Sequence, residues 1–146
     1  MLASIALTFG LFLLSVSIHL ATISKACAWA YKIGNKQIAF VAFMAAAFMS
    51  HCLAAGVFAV GDWIGDTSGI GAFAQEPAMS AMDYFYFSLV NITTLGLGDI
   101  YPLGHLRFMA GIESLTGFLL ISISASYIFR FLAGKMEAGD GRHPSS

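Results

Sequence analysis

The hydrophobic residues of the chain are grouped into three long, almost uninterrupted segments, at about residues 2–24, 38–63 and 106–132. A helix needs about 20 apolar residues to cross a bilayer, so each segment is long enough to span. The first segment lacks a positively charged start and is longer than the apolar core of a signal peptide, which favours a retained helix. The pattern predicts an all-α membrane protein with three transmembrane helices.

The chain does not simply turn around between the second and third segments. Glycines and a proline interrupt regular structure between residues 62 and 78. Ser80 and Asp83 then form the capping pattern of a helix that continues to Ile92. At about 18 Å, this helix is too short to span. We therefore expect a re-entrant helix that dips into the membrane and returns as an extended strand. The alternative is an interfacial helix and a glycine loop without a pore.

The returning strand carries the most informative motif of the chain. Residues 93–99 are Thr-Thr-Leu-Gly-Leu-Gly-Asp. Two glycines separated by one residue allow an extended backbone with several carbonyls on one side, and such a row of oxygens can replace the water shell of an alkali cation. A dinucleotide-binding fingerprint would need a third glycine where Tyr101 stands. Non-helical backbone at membrane depth must be buried in protein or line a watery cavity, so we expect the strand to line a pore.

Residues 83–102 resemble the pore loop of the potassium-channel superfamily along their whole length. The similarity consists of an aromatic-rich pore helix, the threonine pair, the Gly-x-Gly-Asp signature and the proline that starts the inner helix. It extends loosely to the flanking apolar segments as outer and inner helices. The resemblance implies the tetrameric potassium-channel pore fold, with the first segment as an additional N-terminal span.

The resemblance divides the chain into three parts. Residues 1–37 would form the additional transmembrane helix and a cytoplasmic loop, and residues 135–146 a short cytoplasmic tail. The pore domain would occupy residues 38–134. Its expected elements are an outer helix at 38–63, a turret at 64–79, a pore helix at 80–92, a filter at 93–99 and an inner helix at 103–132.

By this resemblance, the filter binds dehydrated potassium ions. Its residues are Thr93, Thr94, Leu95, Gly96, Leu97, Gly98 and Asp99. The ion sites would be the backbone carbonyls of Thr94, Leu95, Gly96 and Leu97, with Asp99 at the outer mouth. One chain supplies one loop and a filter needs four, so the expected partners are three identical subunits and the surrounding lipid bilayer. No cofactor is expected apart from the permeant potassium ions.

One filter position departs from the usual family pattern. Leu97 stands where the family usually has a tyrosine, whose hydroxyl ties the filter to the pore helix. Leu97 cannot form such a hydrogen bond with Tyr86 or Phe87, the corresponding positions of the pore helix. We therefore expect a potassium preference with weakened discrimination against sodium.

The third apolar segment contains the candidates for gating. Comparison with inner helices of the family gives Gly117 as a possible bending point. It also gives a pore-facing stripe consisting of Phe118, Ile121, Ala125 and Phe129. Close packing against a neighbouring helix is the alternative role of Gly117, because small residues let membrane helices approach closely.

Glu113 is an acidic residue well inside the same segment, where a charge is costly and a functional role is the default expectation. It would either concentrate cations in the pore or form a structural hydrogen bond, with Asn91 or Ser88 as candidate partners. Glu113 precedes Phe118 by five residues, which places it roughly 140° around the helix from the pore-facing stripe. This angle favours the structural role.

Two histidines inside the spans raise the question of a shared haem iron. His19 lies six residues before Lys25, and His51 lies fifteen after Lys36. If both lysines mark the cytoplasmic surface, the histidines differ in depth by roughly 13 Å at 1.5 Å per residue. This separation predicts that they cannot bind one iron, and we expect hydrogen-bonded core histidines instead.

The placement of charge predicts the orientation in the membrane. Six of the seven basic residues fall on one side: Lys25, Lys32, Lys36, Arg130, Lys135 and Arg142. By the positive-inside rule that side is the cytoplasm. The N-terminus is then outside, the C-terminus is cytoplasmic and the filter lies near the outer face of a plasma or inner membrane.

Composition excludes several other classes of protein. Only 10% of the residues are charged, 58% are hydrophobic and the mean hydropathy is +0.80. A net charge of −1 argues against nucleic acid as a partner. Cys27, assigned to a loop, and Cys52, inside an apolar run, do not suggest a disulfide. No catalytic set can be assembled from outward-facing residues, so we expect no enzyme. Two functions remain: a potassium-preferring cation channel and a non-conducting membrane scaffold or regulatory subunit with a degenerate pore loop.

Overall fold

The computed structural model describes residues 2–75 and 78–137. Its elements in chain order are α1 (Leu2–Ala30), α2 (Lys36–Thr67), β1 (Gly71–Ala74), α3 (Ala81–Ile92), β2 (Tyr101–Gly104) and α4 (Leu106–Glu137). Among the described residues, three helices, α1, α2 and α4, are long and apolar enough to cross a membrane. The prediction of a helical membrane protein with three spans is confirmed. The last part of the predicted tail, residues 138–146, lies outside the described residues.

Helix α1 is longer than predicted and belongs to the core of the molecule. It continues to Ala30, so Lys25 and Cys27 lie within the helix and not in a loop. The helix packs against both α2 and α4, and Ser4 Oγ donates to the His105 carbonyl oxygen at 3.4 Å. The additional span therefore contacts the inner helix as well as the outer helix.

Helix α2 continues about one turn beyond its predicted end at residue 63. It starts at a cap in which Asn35 Oδ1 accepts from the amides of Gln37 and Ile38, and it ends at Thr67. Gly65 does not interrupt it: a Cβ there would lie 2.5 Å from Leu106 Cδ2, so this glycine allows close packing of α2 against the start of α4. Asp62, assigned to a loop by the sequence analysis, is a buried residue of the helix.

A short antiparallel pair of strands, which the sequence analysis did not predict, links the turret to residues 101–104. Strand β1 pairs with β2 so that Gly71 faces Gly104 and Ala74 faces Tyr101. Because residues 101–104 form this ladder, the inner helix α4 begins at Leu106 and not at residue 103. The strand pair connects the end of α2 to the chain that follows residues 93–99.

Two apolar clusters hold the helices together. The cluster nearer residues 93–99 joins α2, α3 and α4, and consists of Ala54, Ala55, Phe58, Ile92, Leu106, Met109 and Leu120. The second lies at the other end of the spanning helices, and consists of Ile23, Ala30, Ala39, Phe43, Ala47 and Phe131. The first cluster fixes the end of α3, from which residues 93–99 extend.

Candidate functional site

The short helix α3 begins at the predicted cap. Ser80 Oγ accepts from the Asp83 amide at 3.3 Å, and the Asp83 carboxylate accepts from the Ser80 amide at 2.8 Å. These contacts form a capping box, which satisfies amide donors that the first turn leaves free. Donation from the Ser80 amide and hydroxyl holds the pKa of the Asp83 carboxyl below its ordinary value. The predicted cap is confirmed, and the 12 residues of α3 are too few to span.

Two acidic residues of α2 bind α3 from one side. The Ser88 hydroxyl donates to Asp62 Oδ2 at 3.2 Å, and the Tyr84 hydroxyl donates to Asp66 Oδ2. Asp62 is fully buried. The sequence analysis missed both contacts because it treated the residues from 62 onward as a loop. The sequence did contain a signal for these contacts: Asp62 and Asp66 are four residues apart, and residues with this spacing lie on one face of a continuous helix.

Helix α4 binds α3 from the other side through Asn91. Asn91 Nδ2 donates to Glu113 Oε2 at 2.7 Å and to the Ala110 carbonyl oxygen at 2.8 Å. The Ser114 hydroxyl donates to Asn91 Oδ1 at 2.6 Å. Glu113 is fully buried, and the expected contact with Asn91 is present. This contact favours the structural role of Glu113 over that of an acid exposed in a pore.

Gly117 of α4 lies directly against the end of α3. A Cβ built on it would lie only 1.7 Å from the Ile92 carbonyl oxygen and 2.5 Å from the Ile92 carbonyl carbon. Any side chain at this position would therefore overlap the last residue of α3. Of the two roles proposed from the sequence, close packing has direct structural support. Bending at Gly117 remains a prediction.

Residues 93–99 leave α3 with an alternating backbone. The φ angle is 60° at Thr94, 54° at Gly96 and 78° at Gly98, whereas Leu95 and Leu97 do not have positive φ. Glycine adopts positive φ without strain, but a β-branched residue rarely does. The unusual conformation of Thr94 costs on the order of 1–3 kcal/mol and is typical of functional segments.

The start of this segment turns its amides toward α3. The amides of Leu95 and Gly96 both donate to the Val90 carbonyl oxygen, at 3.0 and 3.3 Å. In a trans peptide the carbonyl points opposite to the amide that follows it. The carbonyls of Thr94 and Leu95 therefore both point away from α3. Two consecutive carbonyls on one side are the arrangement that an ion-binding backbone requires.

The far end of the segment is anchored to α3 by a contact that the sequence analysis did not predict. The Tyr86 hydroxyl donates to Asp99 Oδ2 at 2.7 Å. This donation holds the pKa of the Asp99 carboxyl below its ordinary value. Leu97 makes no hydrogen bond through its side chain, so the anchor lies two residues further along than in the usual family pattern.

The side chains of this segment are exposed in the single chain, as is much of the predicted stripe on α4. Leu95 is 64% exposed and Leu97 is 57% exposed, although both are apolar. On α4, Gly117 is buried, and the exposed positions of the predicted set are Phe118, Ile121, Ala125 and Phe129. The structure places all four on the surface of the protomer, and their part in gating remains a prediction.

The predicted separation of the two histidines is wrong. Their ring centroids lie 5.0 Å apart. The depth argument failed because it took Lys25 as the end of the first span, whereas α1 continues to Ala30.

His19 is the fully buried member of the pair, and it bridges the three spanning helices. Its Nδ1 lies 2.7 Å from Ser50 Oγ of α2, and its Nε2 lies 3.2 Å from Ser124 Oγ of α4. The expectation of a hydrogen-bonded core histidine is confirmed for His19. No group of three potential metal ligands occurs among residues 2–75 and 78–137.

A family model described as "Ion channel" matches residues 38–134. No curated protein and no solved structure gives a significant match. The matched range covers most of α2 and α4, both strands, α3 and residues 93–99, and it leaves α1 outside. The family consists of channels and not of enzymes. The chain therefore belongs to the ion channel family with a two-helix, potassium-channel-type pore, to which it adds an N-terminal span.

Proposed function

We propose that the protein is the pore-forming subunit of a homotetrameric, potassium-preferring cation channel. The observation that carries this proposal is the backbone of residues 93–99. Left-handed φ recurs at every second residue, and the carbonyls of Thr94 and Leu95 point away from α3. Such a row of oxygens replaces the hydration shell of a potassium ion when several copies surround it. Permeant ions would be held at the carbonyls of Thr94, Leu95, Gly96 and Leu97.

Four copies of the chain are needed because one strand cannot surround an ion. In the single chain, Leu95 and Leu97 expose apolar side chains beside the filter backbone. Association of protomers around a common axis would cover this segment and bring four sets of carbonyls together. The exposed stripe of α4 would then line the cavity below the filter.

The potassium preference is proposed to be weaker than in tyrosine-containing filters. Leu97 provides no hydroxyl to tie the middle of the strand to α3. The described side-chain bond between this strand and α3 lies at the outer end, between Tyr86 and Asp99. A strand that is anchored at fewer points can adapt more easily to an ion smaller than potassium, which lowers the discrimination against sodium.

The proposed orientation places the filter near the outer face of a plasma or inner membrane. Lys25, Lys32 and Lys36 lie at the end where α1 and α2 are joined, and Asp66 lies at the opposite end of α2. By the positive-inside rule, the joined end is cytoplasmic, the N-terminus is outside and the C-terminus is inside.

The test is ion flux from liposomes containing purified protein. We expect flux in potassium that exceeds flux in sodium and is blocked by barium. Gly96→Ala should abolish flux, because alanine is strained at a φ of 54°. Gly111→Ala is the matched control, since no atom lies within 4 Å of a Cβ at that position. A folded protein without flux would instead support the non-conducting scaffold.

A further inference from the structure

A row of three neighbouring cavities follows the half of α2 that lies nearer residues 93–99. Their volumes are about 450, 290 and 500 Å³. The first two share Trp63, Met79 and Tyr84, and the last two share Val60. We call this feature the α2 groove. It leads from the turret toward the middle of the membrane, between α1, α2 and the pore helix.

The turret end of the α2 groove offers hydrogen-bond acceptors and negative charge. The Asp66 carboxylate lines it, with one oxygen bonded to Tyr84. Gln75 also lines it, and its buried Oε1 has no hydrogen-bond partner within residues 2–75 and 78–137. A buried acceptor without a partner is costly, which indicates a missing donor.

Aromatic side chains complete this end of the groove. Trp63 is 53% exposed and Tyr84 is buried, and both line the wall. The faces of such rings attract cations, most strongly when water is excluded. The described residues that line the cavity include no lysine or arginine. The chemistry therefore suits a cation with N–H donors and does not suit an anion.

The remainder of the α2 groove is apolar. Its wall consists of Leu11, Leu14, Cys52, Leu53, Gly56, Val57, Val60 and Phe85. These side chains come from α1, α2 and α3, so the groove is formed within one protomer. A polar, acidic end joined to an apolar channel along a membrane helix matches a lipid, with its headgroup at the turret and an acyl chain along α2.

We propose that the α2 groove binds a phospholipid whose headgroup carries a primary ammonium. The ammonium would donate to the Asp66 carboxylate and to Gln75 Oε1, and it would contact the face of Trp63. A quaternary ammonium has no N–H group to give to Gln75, so choline lipids bind less well. An anionic headgroup would find no lysine or arginine among the described residues that line the cavity, and the Asp66 carboxylate would repel it. This site does not depend on ion conduction.

The two tryptophans of the chain provide the test. Trp63 lies in the groove, and Trp29 lies near the end of α1, at the opposite end of the spanning helices. Trp29→Phe leaves Trp63 as the only tryptophan, and Trp63→Phe leaves Trp29 as the matched control. Each protein is reconstituted in phosphatidylcholine vesicles that contain a fixed fraction of one lipid with brominated acyl chains. That lipid carries an ethanolamine, choline or glycerol headgroup.

We expect brominated phosphatidylethanolamine to quench Trp63 at least twofold more than brominated phosphatidylcholine, and the two lipids to quench Trp29 equally. Gln75→Leu removes the acceptor that distinguishes a primary from a quaternary ammonium, so it should abolish this difference, whereas Asp66→Glu, which keeps the charge and leaves Gln75 in place, should retain it. Equal quenching of Trp63 by the ethanolamine and choline lipids would overturn the proposal, as would preference for the glycerol lipid. Absence of quenching by every lipid would mean that protein covers the groove, and would also overturn it.

Discussion

Replacing Gly117 with alanine tests whether the end of the pore helix packs directly on the inner helix. An alanine Cβ would lie 1.7 Å from the Ile92 carbonyl oxygen and 2.9 Å from Ile92 Cα. These are backbone atoms, so no change of rotamer relieves the overlap. Ordinary contact begins at 3.4 Å, so α3 and α4 must separate by about 1.7 Å.

The expected cost follows from overpacking. Extra carbons in a packed core usually lower the free energy of unfolding by about 1–3 kcal/mol. Because the overlap at Gly117 is relieved only if the backbone moves, we expect Gly117→Ala to lower it by about 3 kcal/mol. The proposed filter begins at Thr93, directly after the displaced residue, so we also expect loss of potassium flux. Gly111→Ala is the control on the same helix, because a Cβ there has no neighbour within 4 Å. Helix propensity alone should make it up to about 1 kcal/mol more stable.

The measurements are the free energy of unfolding in mixed detergent micelles and flux from liposomes. Gly117→Ala should be less stable than the wild type, and Gly111→Ala should be at least as stable. If both variants were equally stable and only the gating of Gly117→Ala changed, the packing argument would be wrong. Gly117 would then act as a bending point, as its position in the sequence first suggested.

Three further predictions follow from the hydrogen bonds around α3 and α1. Glu113→Ala should lower the free energy of unfolding by about 1–3 kcal/mol, because Asn91 loses a buried partner, whereas single-channel conductance should not change. His19→Phe should cost about 1–3 kcal/mol through the two lost contacts with α2 and α4, measured as unfolding in micelles. The Tyr86 hydroxyl lowers the pKa of Asp99, so its contact with the ionised carboxylate is present at neutral pH and is lost only below the ordinary pKa of an aspartate. Tyr86→Phe should therefore shift acid inhibition of flux to higher pH, and an unchanged midpoint would contradict this.

The parts of the site that could be predicted depend on short stretches of sequence. The capping box of Ser80 and Asp83 was recognisable because its partners are three residues apart. The length of α3 followed from that start and from the motif after Ile92. Two features of the segment were seen only in the structure: the Leu95 amide points toward α3, and Thr94 has a positive φ angle. A threonine in the left-handed region follows from no local rule, since the cost must be offset by the surroundings.

The parts that could not be predicted depend on what each residue meets across the fold, and the glycines show why. Gly65 was interpreted as a helix breaker, but it lies inside α2 because Leu106 fills the space beside it. Gly117 was interpreted as a hinge or a packing residue, and only the position of Ile92 favours the second. Gly96 has open space around it, so it is the backbone angle that requires glycine there. Glycine is thus required either because another element packs closely against it or because its backbone has a positive φ angle. Contacts between residues far apart in the sequence decide which reason applies, and the spacing of residues along the chain does not reveal those contacts.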